Sequence, residues 1–285
     1  MVQSARLRLR TLAVCVVALL TTACSSSFVY NRLDTLAGWY LGSLVSLDED
    51  QERQLQQWLT QTLDWHRRSE LTRYAGFLRD LSQQMHQPGT PSTYAQTQQR
   101  FEEFWQELVT KTTPQATTLL QGLSIDQTNE LVRNLDEKAR DRAADEASDP
   151  GKWQRDQIKR LSRFVRRCTG SVSNEQLALI TATASQLEPS QAEWLASQDA
   201  WRRALQSALM AEPSADRTHR IEQLLARANN EWTQEYVDKS QRNRQRHLDL
   251  VRSLDATLSS RQRKHLQSEL LKLAGQLDSI AGGKS

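Results

Sequence analysis

The sequence predicts an all-α protein, an extended antiparallel bundle of long helices. Nearly every apolar residue recurs at the three- and four-residue spacing of one helix face, and alternating β-branched runs are absent. The prolines fall between these periodic stretches, where a missing N–H costs little. They are Pro88, Pro91, Pro114, Pro150, Pro189 and Pro213. We therefore expect helices separated by proline-containing turns.

The first 23 residues have the order of a secretory signal peptide. Arg6, Arg8 and Arg10 precede a ten-residue apolar run, 11–20, and small residues follow it. The run is well short of the roughly 20 residues that a membrane-spanning helix needs. We therefore expect residues 1–23 to be removed from the mature protein.

Cys24 follows directly, and the Leu-Thr-Thr-Ala-Cys stretch that ends there resembles the lipobox of bacterial lipoproteins, with Thr21 where that family has leucine. The resemblance implies a diacylglycerol on the Cys24 thiol and an acyl chain such as palmitate on its amino group, which together give stable anchoring. Ser25 is not the Asp that retains such lipoproteins in the inner membrane, so the resemblance implies the periplasmic face of the outer membrane. The alternative is ordinary secretory cleavage before an incidental cysteine.

Removal of the signal leaves a mature chain of 262 residues with 34 basic and 34 acidic side chains. A neutral chain gives no global electrostatic case for nucleic acid, so we expect no such partner. Cys15 leaves with the signal and Cys24 carries lipid, which leaves Cys168 without an intramolecular partner. Cys168 is either a buried small hydrophobe, or a thiol that is reactive or forms an intermolecular disulfide.

The mature chain contains two long helical segments in its first half. Segment 47–85 carries one apolar stripe when each residue advances 100°. The stripe consists of Leu55, Leu59, Leu63, Phe77 and Leu81. The next segment follows Pro91 and directs an aromatic face at the core. That face consists of Phe101, Phe104, Trp105 and Leu108.

The turn Asp149-Pro150-Gly151 divides the mature chain almost in half. We predict an N-terminal helical half, 24–149, and a C-terminal helical half, 150–285, either as two subdomains or as one continuous domain. Residues 214–274 contain neither proline nor glycine. This tail is expected to form one very long helix, or two helices joined by a break near Leu258.

A nine-residue pattern, apolar-(Ser/Asp/Glu)-x-x-Gln-x-x-x-apolar, recurs five times at irregular intervals. The copies begin at Leu47, Leu123, Val172, Leu187 and Leu258. A Ser or Asp N-cap with Gln at N3 forms a capping box that starts a helix, although Glu188 in the fourth copy is a poor cap. The copies resemble the Leu-Thr-x-x-Gln motif of Spy-like periplasmic proteins, and this resemblance implies a helical, ATP-independent chaperone.

Two further motifs resemble an uncharacterised family of proteobacterial lipoproteins. One is Tyr30-Asn-Arg-Leu-Asp34 followed by Trp39-Tyr-Leu41. The other is Trp65-His-Arg67 followed by Glu70-Leu71 and Tyr74-Ala75. The resemblance covers most of the mature chain, and it implies an envelope location and a helical fold without a known activity.

His66, Glu70 and Arg73 have the spacing i, i+4, i+7 within the apolar stripe described above, so we expect them to face inward together. Ionisable groups on such a stripe must be paired, and Glu70 is placed to accept from both His66 and Arg73. One interpretation is a ligand-binding or proton-handling cluster, with Asp34 or Arg32 nearby. The other is a polar network that fixes the helix register. A bordering cleft favours the first interpretation, and enclosure by the core favours the second.

Residues 152–167 form an amphipathic helix with a strongly basic face. The basic residues are Lys152, Arg155, Lys159, Arg160, Arg163, Arg166 and Arg167. This face either binds anions, such as lipid A phosphates, acidic cell-wall groups or acidic clients, or is a solvated face neutralised by the acidic stretch before it. That stretch contains Asp136, Glu137, Asp141, Asp145, Glu146 and Asp149.

Known catalytic, metal-binding and phosphate-binding motifs are absent, so we expect no catalytic residue, no metal and no cofactor besides the lipid on Cys24. The eight tryptophans either pack in the core or line a groove for hydrophobic segments. We predict a non-enzymatic scaffold or chaperone-like binding protein whose partners are the membrane and envelope proteins or other envelope components. The alternative is an enzyme or ligand-sensing protein that uses His66, Glu70 and Arg73.

Overall fold

The computed structural model describes Tyr30, residues 32–144 and residues 150–283. The signal peptide and Cys24 lie outside these residues, as do Asp145, Glu146 and Asp149 of the acidic stretch. Within the described residues the chain consists of helices joined by short turns, without a β-strand. The all-α helical-bundle prediction is confirmed.

The helices of the first half include one π-helical turn, His66–Glu70. They are α1 (Leu33–Gly42), α2 (Glu49–Trp65), α3 (Leu71–Gln84), α4 (Pro91–Gln121) and α5 (Ile125–Ala144), and the turn joins α2 to α3. The helices of the second half include a 3₁₀ turn, Ala228–Glu231. They are α6 (Pro150–Thr169), α7 (Asn174–Gln186), α8 (Gln191–Met210), α9 (Ala215–Ala226), α10 (Gln234–Ala256) and α11 (Ser260–Ala281).

Four of the five copies of the recurring pattern start helices through capping boxes. In each, the N-cap side chain accepts from the backbone N–H of the glutamine, whose side chain accepts from the N-cap N–H. The N-caps are Asp48, Ser124, Ser173 and Ser259. The fourth copy differs, since α8 begins only at Gln191 without a side-chain cap. Its Glu188 instead pairs with Arg242 and Arg246 of α10.

The capping glutamines also join helix starts that are distant in sequence. Gln51 and Gln127 donate to each other's side-chain oxygens at 3.1 and 2.6 Å. Gln176 and Gln262 do the same at 3.2 and 2.9 Å, and both are buried. One pair therefore holds the N-termini of α2 and α5 together, and the other holds those of α7 and α11.

The helices pack in a similar order in the two halves, and long helices of each half also pack against the other half. In the first half α1 packs on α2 and α2 on α4, while in the second α6 packs on α7 and α7 on α10. Long helix pairs then cross between the halves, since α11 packs along α3 and α8 along α5. The ion pairs Arg79–Asp278 and Arg202–Asp136 accompany these two crossings. The helices of each half therefore bury apolar surface on the other half.

Among the described residues, three apolar clusters form the core. The first lies between α3 and α11 and includes Tyr30. The second joins the turn after α1 to α5, α8 and α9. The third lies between α6, α7 and α10. Because Leu33 packs on the first cluster and Leu41 on the second, α1 is held at both of its ends.

Three local predictions are corrected by the structure. Pro114 does not separate helices but lies inside α4, where Val109 and Thr117 are buried on either side of it and packing keeps the helix continuous. Pro150 is the first residue of α6, a position where its fixed φ suits a helix. The tail breaks near Leu258 as predicted, but residues 227–233 also interrupt it.

The apolar stripe predicted for segment 47–85 changes face at the π-helical turn. Leu55 and Leu59 before the turn are buried, whereas Phe77 and Leu81 after it are half-buried. The turn carries an i→i+5 backbone bond to the His66 carbonyl, and its extra residue rotates the helix that follows. The buried stripe after the turn is instead Leu71, Ala75 and Leu78.

Candidate functional site: a groove between α2 and α4

An open groove of about 640 Å³ runs between α2, the π-helical turn and α4. We call it the α2–α4 groove. Its lining includes Trp58 and Trp65 of α2, Glu70 and Arg73 beyond it, and Glu107, Lys111 and Pro114 of α4. Two members of the predicted polar cluster therefore border a cleft. The third, His66, is not part of the groove lining.

Glu70 lies at the bottom of the groove, with 2 % of its surface exposed. Its carboxylate accepts hydrogen bonds from Arg73 Nη1 at 3.2 and 3.0 Å and from Ser69 Oγ at 2.8 Å. Arg73 also donates to Glu107 on α4, with Nη2 2.9 Å from Oε1. The bond with Glu107 raises the pKa of Arg73, and the same bond lowers the pKa of Glu107. Arg73 thus ties the two walls of the groove together.

His66 does not bond to Glu70, which corrects the expected hydrogen bond between them. Its Nδ1 lies 2.9 Å from the Tyr30 hydroxyl, and its ring contacts Tyr30, Trp65 and Tyr74. Burial lowers the pKa of His66 to about 4 and raises the pKa of Tyr30 to about 12. At neutral pH the imidazole is therefore neutral, and its Nδ1 shares a hydrogen bond with the Tyr30 hydroxyl in which either group can be the donor. The Glu70 carboxylate is instead bound by the cationic Arg73, because a carboxylate forms stronger hydrogen bonds with a charged donor.

Tyr30 of the first lipoprotein motif packs on the second motif behind the groove. Arg67 stacks over the Tyr30 ring at 5.4 Å, and Tyr74 contacts the Phe104 ring of α4 at 4.6 Å. Asp34 is not part of this group and bonds to Thr35 of its own helix. Sequence reasoning missed Tyr30 and Glu107 as partners because they come from other helices, where helix spacing gives no signal.

The α2 wall of the groove presents two tryptophans, Trp58 and Trp65, that are seven residues apart on one helix face. Lys111 Nζ lies 5.8 Å from the centroid of a Trp65 ring. The indole N–H of Trp58 is buried and has no hydrogen-bond partner among the described residues. The groove therefore combines indole surface with a cation, a lining suited to an amphipathic ligand.

The seven predicted anion-binding residues all lie on α6. Six of them are exposed and Arg167 is half-buried, while the opposite face packs into the third core cluster. Asp136 of the acidic stretch does not neutralise this face, because it pairs with Arg140 and Arg202. Anion binding by α6 stays a prediction.

Cys168 lies on the inner side of α6, where burial raises the pKa of its thiol to about 11. A thiol with a raised pKa is a poor nucleophile, which favours the interpretation of Cys168 as a packed hydrophobe. Among the residues that the structure describes, no group of three or more His, Cys, Asp or Glu side chains is placed to hold a metal ion. Across the same residues, no helix is both long and apolar enough to cross a membrane.

These features define an all-α bundle protein with an open groove on one side. The chain belongs to a family of unknown function (DUF6279), whose model matches residues 43–237. The matched region contains the α2–α4 groove and α6, whereas α1 and α11 lie outside it. No curated protein and no solved structure matches the chain.

Proposed function

We propose that this protein is a non-catalytic scaffold or chaperone-like binding protein that holds amphipathic segments of client proteins in the α2–α4 groove. The groove itself is the observation that carries the proposal. It presents Trp58 and Trp65 for apolar side chains and Lys111 for acidic ones. Aromatic surface with a few charged groups is the usual composition of such recognition sites.

The polar groups of the groove favour binding over catalysis. A general base needs an atom within reach of the substrate proton. Glu70 is held by Arg73 and Ser69, and His66 is directed at Tyr30 behind the groove. The same contacts fix the relative positions of α2, α3 and α4, so the groove is preformed for a ligand.

We further propose that Cys24 carries the lipid anchor and holds the protein at the periplasmic face of the outer membrane. Support comes from the signal-like residues 1–23, the lipobox resemblance and Ser25. Only residues 25–29 separate Cys24 from Tyr30, where the described fold begins. The groove would then act close to the membrane surface.

In-cell photo-crosslinking tests the groove directly. A photoreactive amino acid replaces Gln61 or Gln106, which line the groove, or Ser185, an exposed residue of α7 that serves as the matched control. We expect protein adducts from both groove positions, identified by mass spectrometry, and few from Ser185. Equal adducts from all three positions would contradict a specific groove. Groove positions without protein adducts would favour the alternative, a small ligand at Glu70 and Arg73.

A further inference from the structure

Helix α1 has an exposed apolar face that its position in the fold does not explain. Leu36, Trp39 and Tyr40 have the spacing i, i+3, i+4, and 49 %, 76 % and 45 % of their surfaces are exposed. Trp39 is the most exposed large hydrophobic side chain among the described residues. Residues 35–47 contain no charged side chain. An apolar patch of this kind usually marks an interaction surface.

The other face of α1 is already occupied, so the exposed face cannot turn inward. Leu33 and Leu41 pack on separate core clusters. At Gly38 the helix lies against α2, where an added Cβ atom would meet the side chains of Gln56 and Leu59. The orientation of α1 is thus set by packing, and most of the Trp39 side chain faces solvent.

We infer that the exposed face of α1 lies in the headgroup region of the membrane that carries the lipid anchor, an inference that rests on the proposed lipidation of Cys24. Eight residues separate Cys24 from Leu33, and the nine steps of the chain between the two reach at most about 32 Å even when fully extended. The tether therefore keeps α1 near the bilayer. The ten-residue helix is too short to span the membrane, so its apolar face lies along the surface.

The side chains on this face have the chemistry of an interfacial anchor. Tryptophan and tyrosine concentrate at membrane–water interfaces, where the ring is apolar and the N–H or O–H stays hydrated. Lys138 Nζ lies 5.4 Å from the Tyr40 ring centroid. It places a cation beside the exposed face of α1, where it can pair with a lipid phosphate. Contact through α1 would fix how the bundle is oriented on the membrane, which the lipid alone does not do.

Quenching of tryptophan fluorescence in vesicles tests this contact. The mature lipidated protein is incorporated into phosphatidylethanolamine and phosphatidylglycerol vesicles that contain a doxyl-labelled quencher lipid. Trp39 is one of eight tryptophans, and we expect the quenched part of the emission to disappear in Trp39→Phe. The control Trp194→Phe, on α8, should be quenched as the wild type is.

Flotation of the same vesicles tests the lipid anchor on Cys24 separately from the membrane contact of α1. Wild-type protein that floats and loses its quenching only in Trp39→Phe supports the membrane contact. Protein that floats but is quenched equally with and without Trp39 overturns the contact and leaves the anchor standing. Failure of the wild type to float would overturn the lipid anchor, and with it this inference.

Discussion

At the scale of single residues, His66, Glu70 and the capping glutamines each have a partner that matches their charge type. The neutral His66 is hydrogen-bonded to the neutral Tyr30 hydroxyl, whereas Glu70 is bound by the cation of Arg73. The buried amides of Gln176 and Gln262 satisfy each other. Because a buried polar group without a partner is costly, these contacts determine which helices can meet.

The lowered pKa of His66 predicts a loss of stability in mild acid. The folded state protonates His66 only near pH 4, whereas the unfolded chain does so near its ordinary value of about 6.5. Stability from this residue is fully present above that value and is lost as the pH falls toward 4, by at most about 3 kcal/mol. The free energy of unfolding, measured by urea denaturation at pH 7 and pH 4.5, should fall less in His66→Asn than in the wild type. An equal fall would show that His66 does not titrate in this way.

The two glutamine pairs offer a matched test of burial. Gln176→Glu keeps the capping box, which accepts either residue, but removes the amide that donates to Gln262. We expect it to lower the free energy of unfolding by at least about 2 kcal/mol, because a carboxylate then lies buried against an acceptor. Gln51→Glu, in the half-exposed pair, should cost clearly less in the same denaturation experiment. Equal losses of unfolding free energy would mean that burial of the Gln176–Gln262 pair does not contribute to stability.

At the scale of helices, the π-helical turn His66–Glu70 positions the candidate site. It lets α2 present Trp58 and Trp65 to the groove while α3 turns Leu71, Ala75 and Leu78 toward α11. A regular helix could not satisfy both contacts, because it has one residue fewer at this point. Such turns recur at functional sites for this reason.

Removal of one residue from the turn should disrupt the packing of α3. Deletion of Arg68, which is exposed, converts the turn to an ordinary helix and rotates the buried stripe of α3 away from α11. We expect the free energy of unfolding to fall by at least about 3 kcal/mol, as in other losses of large core contacts. The control Arg68→Ala removes the same side chain at constant chain length and should cost less than about 1 kcal/mol. A deletion as mild as the control would contradict this role of the turn.

The helices and their starts were predictable because capping boxes and helix periodicity are local. The sequence therefore anticipated the starts of α2, α5, α7 and α11 and the break near Leu258. The π-helical turn and the continuation of α4 through Pro114 depend on contacts between distant helices, which local patterns do not carry. The groove was missed in part for the same reason, since Glu107 meets Arg73 only in the folded chain.

At the scale of the whole molecule, each half of the chain buries apolar surface of the other half. The helix α11 packs along α3, and α8 along α5, so each half covers the apolar face of the other. Separation of the halves would expose both faces. The protein is therefore expected to unfold in one cooperative transition.

Cutting the chain between residues 149 and 150 tests this dependence. Fragment 24–149, carrying Cys24→Ala, and fragment 150–285 are expressed in the same cells. They should co-purify as a helical complex, because α3 of one fragment packs against α11 of the other. Each fragment alone should aggregate or lack cooperative unfolding by circular dichroism. Two fragments that fold separately, each with its own transition, would show independent domains instead.

Binding of client segments in the α2–α4 groove should depend on its tryptophans, and this dependence is measured by the yield of photo-crosslinked protein at Gln61 with and without Trp65. The experiment compares the wild type with Trp65→Ala in the groove and with Trp153→Ala on α6, each at equal cellular abundance. We expect Trp65→Ala to reduce the adduct yield at least several-fold and Trp153→Ala to leave it unchanged. An unchanged yield in Trp65→Ala would contradict the claim.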